Sequence, residues 1–331
     1  MKALVYTAPN EVVYRDEPDA AHAPGEVLIR VEAVGICGSD MHAYHGHDPR
    51  RKPPLILGHE LAGTIVEGPG AGQRVTVNPL ITCGACDYCR QGRDNLCANR
   101  TMIGMTRPGG FAEFVSTAAA SVIDVPPGMD ARQAALTEPA ATALHAIHLA
   151  ARALVRPLAE GCVLILGGGA IGMLATLLLA HRGVRDISVG EVNALGRRSL
   201  ADATHARVYD PSTMSPDANA FDLVVDAVGG AATRTAAIAA VKPGGVVMHI
   251  GLADRASEID MRKLTLAEIS LIGTYTYSTV DLRAAVRLLH EGAFGHLDWV
   301  EERPLSEGAA AFSDLRRGRT AAAKIVLDPS C

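Results

Sequence analysis

The sequence lacks any strong excess of charge of one sign. It carries 31 Lys plus Arg against 36 Asp plus Glu, a formal charge of -5 over 331 residues, with a pI near 6.2. That balance argues against nucleic acid or an anionic membrane as the main partner. Internal repeats and low-complexity tracts are also lacking, and Met1 to Tyr6 is strand-like and too short for a signal h-region. One uncharged run, residues 161–180, is long enough to raise the question of a membrane span. A glycine cluster splits it into a strand and a helix, so a buried βα unit is the better reading. Charged residues make up only 20% and hydrophobic residues 48%, which excludes a disordered chain. The length suits two domains. A soluble cytoplasmic protein is expected, with its seven cysteines reduced. Clustered cysteines are then metal ligands rather than disulfides.

What is present centres on V-L-I-L-G-G-G-A-I-G, residues 163–172. Val163 to Leu166 read as a buried strand of a parallel sheet. Gly167, Gly169 and Gly172 follow on a G-x-G-x-x-G spacing, with Ala170 and Ile171 between the last two. The first glycine permits the tight turn, the second lets backbone approach a pyrophosphate, and the third lets helix pack on strand. Met173 to Arg182 reads as the helix, ended by Gly183. The next strand is Ile187–Gly190, and Glu191 stands at its end. A carboxylate there accepts the adenine-ribose hydroxyls, which favours NAD over NADP. Arg197 and Arg198 carry the competing reading, a 2′-phosphate site. Strands at Val208–Tyr209, Leu223–Asp226, Val246–Ile250 and Ile269–Ile272, with helical runs between most of them, complete a doubly wound parallel Rossmann sheet. The fold class is therefore α/β.

Ahead of this sheet lie short β-runs at Ala3–Tyr6, Val12–Arg15 and Val27–Val34, which predict a small antiparallel barrel. Cys37 follows in a glycine-flanked turn, and His59 with Glu60 in L-G-H-E. A thiolate and an imidazole from separate loops, with a carboxylate adjacent, suit a zinc site with one open position. Alone, a buried cysteine and a structural histidine explain them equally well. Cys83, Cys86, Cys89 and Cys97 form C-x2-C-x2-C-x7-C, which reads as a closed structural zinc site in a lobe spanning residues 81–100. Cys162 and Cys331 carry no assigned role.

Cys37, G-H-E at 58–60, the four-cysteine lobe, G-G-F-A-E-F at 109–114 and the glycine turn occur in this order in the zinc-containing medium-chain alcohol dehydrogenases. The chain resembles that family over nearly its whole length. The resemblance implies a GroES-like β-barrel catalytic domain, with Cys37 and His59 as ligands of a catalytic zinc and Glu60 as a ligand or its close neighbour. It implies that Asp40 orients the zinc histidine and that Ser39 and His42 relay a proton by way of the cofactor ribose. Thr137-Glu138-Pro139-Ala140 precedes an expected helix, Ala141 to Ala151. Glu138 there is similar to the carboxylate ligand of polyol and threonine dehydrogenases, where liver-type enzymes have a cysteine. A first-turn glutamate favouring the helix dipole is the plain alternative. If Thr274 aligns with the arginine of sorbitol-type enzymes, sorbitol itself is disfavoured.

By the same resemblance, Val228, Gly251, Leu252, Thr274 and Tyr275 border the nicotinamide. The last strand of the sheet pairs with its copy in a homodimer or homotetramer. The domains are expected at 1–140 (catalytic), 141–275 (NAD-binding) and 276–331 (return to the catalytic domain). The implied activity is zinc-dependent hydride transfer between a small secondary alcohol, polyol or sugar-like, and NAD. The alternatives are a threonine or amino-alcohol dehydrogenase and a non-catalytic nucleotide-binding or quinone-reductase-like relative.

Overall fold

The computed structural model describes residues 1–330; Cys331 lies outside them. The N-terminal part holds ten strands: β1 (Lys2–Ala8), β2 (Glu11–Asp16), β3 (Glu26–Gly35), β4 (Leu55–Ile56), β5 (Glu60–Glu67), β6 (Arg74–Val77), β7 (Leu80–Ile81), β8 (Thr101–Met102), β9 (Phe114–Ala118) and β10 (Val122–Asp124). Helices α1 (Gly38–Tyr44), α2 (Asp87–Arg90) and α3 (Ala131–Ala135) interrupt them. After α4 (Thr137–Ala153) come β11 (Cys162–Leu166), α5 (Ala170–His181), β12 (Asp186–Gly190), α6 (Ala194–Ala203), β13 (Arg207–Tyr209), β14 (Phe221–Asp226), α7 (Ala231–Ala240), β15 (Val241–His249), α8 (Met261–Leu266) and β16 (Ser270–Gly273). Helix α9 (Thr279–His290), β17 (Val300–Pro304), α10 (Gly308–Arg316) and β18 (Lys324–Asp328) close the chain.

The barrel sheet runs β10-β6-β5-β3-β18-β17, with β9 paired to β3. All its pairings are antiparallel except β17 with β18. The second large sheet is entirely parallel and runs β13-β12-β11-β14-β15-β16. Its strands are apolar on both faces, as a sheet covered on both sides requires. Successive β11 residues face opposite layers. Val163 and Ile165 join the core with α4, α5 and α9. Leu164 and Leu166 join the core with α7.

Three local expectations shift. Helix α4 begins at Thr137, not Ala141, and shares Leu136 with the end of α3. Pro139 is tolerated because first-turn amides have no partner within the helix. Glu138 thus lies inside the first turn. Helix α5 begins at Ala170, not Met173. A Cβ on Gly172 would stand 1.9 Å from the Gly167 carbonyl oxygen, so the third glycine of the motif packs the first turn against the loop. Strand β15 starts at Val241, but its register against β14 jumps from Val241 to Val246, so Lys242 to Gly245 bulge out.

The barrel and the parallel sheet meet around α4. Ala33 of β3 and Ala62 of β5 share one core with α4, α5 and α9. Helix α9 packs on α4, where the buried Asp281 receives His145 Nδ1 at 2.7 Å and His148 Nδ1 at 2.9 Å. The chain rejoins the barrel sheet at Val300.

Candidate metal centres and dinucleotide cleft

The catalytic-type centre is assembled by one helix N-terminus and one strand start. Cys37 caps α1: its Sγ accepts the Ser39 amide, and Asp40 reaches back to accept the Cys37 amide at 3.0 Å. This reciprocal cap fixes the thiol direction. His59 and Glu60 arrive at the start of β5, with Gly58 at φ 92 before them. One ligand atom each from Cys37, His59 and Glu60 lies within 4.8 Å of the others. His59 Nδ1 faces Asp40 Oδ1 at 3.4 Å, and neither atom makes a hydrogen bond though both are buried.

The charge carried by this pocket identifies what it suits. Asp40, Glu60 and Glu138 are buried, as are Arg51 and Lys324. Lys324 Nζ grips both Glu60 oxygens, at 2.8 and 2.6 Å, and donates to the Ile36 carbonyl at 2.9 Å. Arg51 stands 4.0 Å from Asp40 and also holds Asp48 and Ser39 Oγ. With those pairs matched, the Cys37 thiol and the Glu138 carboxyl lie beside His59 with no direct ion-pair partner of their own. Burial pushes the Glu138 carboxyl up to about 7, with the Glu60 charge adding to the effect and His59 opposing it. Burial disfavours the His59 cation, but the Asp40 and Cys37 charges outweigh it and raise its pKa well above the ordinary value. A half-buried thiol, a buried imidazole and buried carboxyl groups are the donors a divalent cation takes, and S, N and O donors fit zinc.

Glu138 stands outside the tight group of three. Its Oε1 accepts the Tyr277 hydroxyl at 2.9 Å. Lys324, Tyr277 and Arg51 were not legible as site residues. Lys324 alone left a trace, as a single cation inside the apolar strand A-K-I-V-L. Of the two relay residues, Ser39 accepts from Arg51 Nη2 at 3.1 Å. His42 is half-buried. Burial foremost, then His47, lowers its pKa and keeps it neutral.

The four-cysteine lobe is a separate centre. Its sulfurs lie within 4.8 Å of one another. Cys86 to Cys89 and Cys97 to Cys83 are each 3.5 Å apart, and Cys83 to Cys89 is 4.0 Å. Disulfide sulfurs would sit about 2.05 Å apart. A tetrahedron with Zn–S arms of about 2.3 Å has edges of about 3.8 Å. The spacing therefore fits a closed zinc site.

The cleft of the parallel sheet opens at the strand carboxyl ends, where open α/β sheets bind ligands. Gly167 has φ 98. A Cβ there would stand 2.5 Å from Val228, whereas Gly169, the N-cap of α5, faces open space. The α5 amides are thus bare for an anion. Glu191 accepts the Gly168 and Asn193 amides, both at 2.7 Å, which ties the glycine turn to the end of β12. Its carboxylate retains lone pairs for hydroxyl donors. Arg197 is committed to the carbonyls of Glu191 and Val192 and to Asp210, and Arg198 points to solvent. A cavity of about 770 Å³ lies between Glu191, Tyr209 and Val228. The loops bearing Val228, Gly251 and Leu252 cross closely: a Cβ on Gly251 would meet the Val228 backbone at 2.0 Å. Thr274 and Tyr275 follow β16 at the same sheet end. No helix among the described residues is long and apolar enough to cross a membrane.

Comparison with known proteins agrees with this geometry. Residues 23–127 match the alcohol dehydrogenase GroES-like domain, and residues 170–291 match the zinc-binding dehydrogenase family. The chain is 30% identical to L-galactonate-5-dehydrogenase of Escherichia coli over 88% of each chain. It is 31% identical to sorbitol dehydrogenase of Halalkalibacterium halodurans over 99% of each. Among solved structures, a putative zinc-binding dehydrogenase from Sinorhizobium meliloti bound to NADP superposes with TM-score 0.83 at 30% identity, covering 99% of each chain. Acetophenone reductase from Geotrichum candidum in complex with NAD gives 0.88 at 29%, covering 99% of this chain and 96% of that one.

Proposed function

The chain belongs to the zinc-containing medium-chain alcohol dehydrogenases, in the polyol and threonine dehydrogenase branch, and from that premise we propose that it oxidises a secondary hydroxyl of a polyol or sugar-like substrate with NAD. The observation that carries the reading is the convergence of the Cys37 thiol, the His59 imidazole and the Glu60 carboxyl, one ligand atom each within 4.8 Å of the others, on a pocket where the buried Asp40 Oδ1 and His59 Nδ1 make no hydrogen bond. These residues would hold the zinc, with Glu138 facing it from α4. When bound, zinc lowers the pKa of a hydroxyl it polarises, and the nicotinamide takes up hydride.

The remaining work falls to side chains. Arg51 fills one lone pair of Ser39 Oγ and leaves the Ser39 proton free to be handed on. Neutral His42 accepts a proton and exchanges it with solvent. Cys83, Cys86, Cys89 and Cys97 would hold a second zinc with no open position. Gly167 to Gly172 would cradle the pyrophosphate. Glu191 would take the ribose hydroxyls, and the commitment of Arg197 to backbone and Asp210 favours NAD over NADP.

The division 1–140 and 141–275 suits the two sheets, with the return to the barrel best drawn at Val300 rather than residue 276, because α9 packs on α4. A homodimer through β16 is supported by its place at the sheet edge, where Leu271 is exposed. Four thiols that bind metal only when reduced suit the cytoplasm. The test is a screen of polyols, diols, sugar acids and amino alcohols with NAD and with NADP, followed at the absorbance of reduced nicotinamide. NAD-linked oxidation of a polyol or sugar acid is expected. Turnover confined to amino alcohols, or to none of these with two zincs bound, would overturn the reading.

A further inference from the structure

The four-cysteine lobe does more than close on itself. Its fourth cysteine ends a short turn, Asp94–Leu96, through the Cys97 amide bond to the Asp94 carbonyl. That turn grips the crossover between β16 and α9. Buried Asn95 donates Nδ2 to the Tyr275 carbonyl at 2.8 Å. Asp94 receives the Thr279 amide at 3.2 Å and the Thr279 hydroxyl. Arg100, tied to the Cys97 carbonyl at 2.7 Å, stacks its guanidinium 4.8 Å from the Tyr275 ring centre and reaches the Tyr275 hydroxyl at 3.3 Å.

The gripped segment is strained and ends at the other metal pocket. Thr276 has φ 47, a conformation a β-branched residue avoids. The buried hydroxyl oxygens of Thr274 and Thr276 have no hydrogen-bond partner. Two residues beyond Tyr275, Tyr277 holds Glu138. Strain of this kind persists only where the surroundings over-determine the backbone. The lobe supplies the constraint on one side and Glu138 meets it on the other.

We propose that the four-cysteine lobe is a positioning device for the catalytic pocket: through Asn95 and Arg100 it fixes the crossover 274–277 and so aims Tyr277 at Glu138. Lobe and crossover together wall a cavity of about 680 Å³ lined by Asn95, Leu96, Thr274 and Tyr275. The inference rests on Glu138 and this crossover bordering the reacting centre. It names Asn95 and Arg100 as positioning residues, and neither touches the substrate or the cofactor.

The test compares Asn95→Ala and Arg100→Met with Asp87→Ala, an exposed change in the same lobe away from the crossover. Amide hydrogen exchange over 273–279 is measured on the zinc-loaded protein. The visible spectrum of cobalt(II) in the catalytic centre, the NADH dissociation constant and kcat against KM are measured beside it. Exchange should quicken about fivefold or more in the first two variants, as expected for losing one hydrogen bond of local closure. The cobalt spectrum should shift, and kcat should fall about tenfold with a smaller change in KM, while Asp87→Ala matches wild type. If Asn95→Ala sheds the lobe metal, Thr279→Val removes the hydroxyl bond to Asp94 from outside the lobe, leaving the amide bond, and carries the same expectation in direction. Unchanged exchange would overturn the proposal, as would faster exchange with an unchanged spectrum and turnover, which would make the contacts merely structural. A chain that turned over no alcohol would still answer through exchange and spectrum, so failure of the functional reading is distinguishable.

Discussion

The two metal centres are built on opposite plans. The lobe draws four thiols from 15 consecutive residues, 83–97, at the surface, with sulfurs 3.5 to 4.0 Å apart. The catalytic pocket draws Cys37, His59 and Glu60 from two places in the barrel, with Cys37 half-buried and the other two buried. It completes them with Glu138 and Tyr277 from near the other domain and Lys324 from the last strand. The lobe is closed and local. The pocket is assembled from distant chain segments and gathers buried acidic and basic groups side by side. A local site depends on metal to fold its own loop. A distant one inherits its shape from the fold and uses metal for chemistry.

The largest expected effect breaks the lobe. Cys97→Ser should release its zinc and cost on the order of 5 kcal/mol of stability, since structural zinc contributes folding energy directly. Thermal unfolding with zinc analysis checks this. A variant as stable as wild type would erase the contrast. Next, Lys324→Met strands Glu60 as a buried unpaired carboxylate and should cost about 3–5 kcal/mol. Denaturant unfolding of the zinc-free protein checks it. A cost below about 1 kcal/mol would mean that the pair is solvated rather than buried.

Two smaller tests sharpen the contrast between near and far partners. Glu191→Ala removes acceptors for the neighbouring Asn193 amide and the more distant Gly168 amide. It should weaken NAD binding by roughly 10- to 100-fold, from about 1.5–3 kcal/mol of lost charged hydrogen bonds. Fluorescence titration reads it. The ion pair of Asp281 with His145 and His148 spans 136 and 133 residues. Burial raises the Asp281 pKa, but those two histidines and Ser278 outweigh it and hold the carboxyl far below the ordinary range. The stabilisation is therefore present above an unfolded pKa of about 3.9 and lost as pH falls through the depressed folded value. Between about pH 4.5 and 2.5 the wild-type Tm should fall more steeply than that of Asp281→Asn. Parallel curves would contradict the assignment.

Legibility in the sequence follows the same divide. The four-cysteine spacing and the glycine turn are contiguous motifs, and both read directly because their geometry is set by nearby chain. The alternation of strands and helices gave the parallel sheet, since each apolar run buries on its own period. Lys324, Tyr277 and Arg51 were missed because their roles exist only after distant strands meet. Glu138 was placed ahead of its helix because Pro139 reads as a break, whereas a first turn accepts it. Asn95 reads as an ordinary turn residue until Tyr275 arrives from 180 positions away.

The most direct measurement pairs metal content with turnover in Cys37→Ser. The pocket reading predicts two zincs per chain in the wild type and one in the variant, a Tm within a few degrees, and turnover reduced by about a thousandfold, on the order of 4 kcal/mol of lost charge stabilisation. A Cys37→Ser protein that keeps both zincs and full turnover would contradict it.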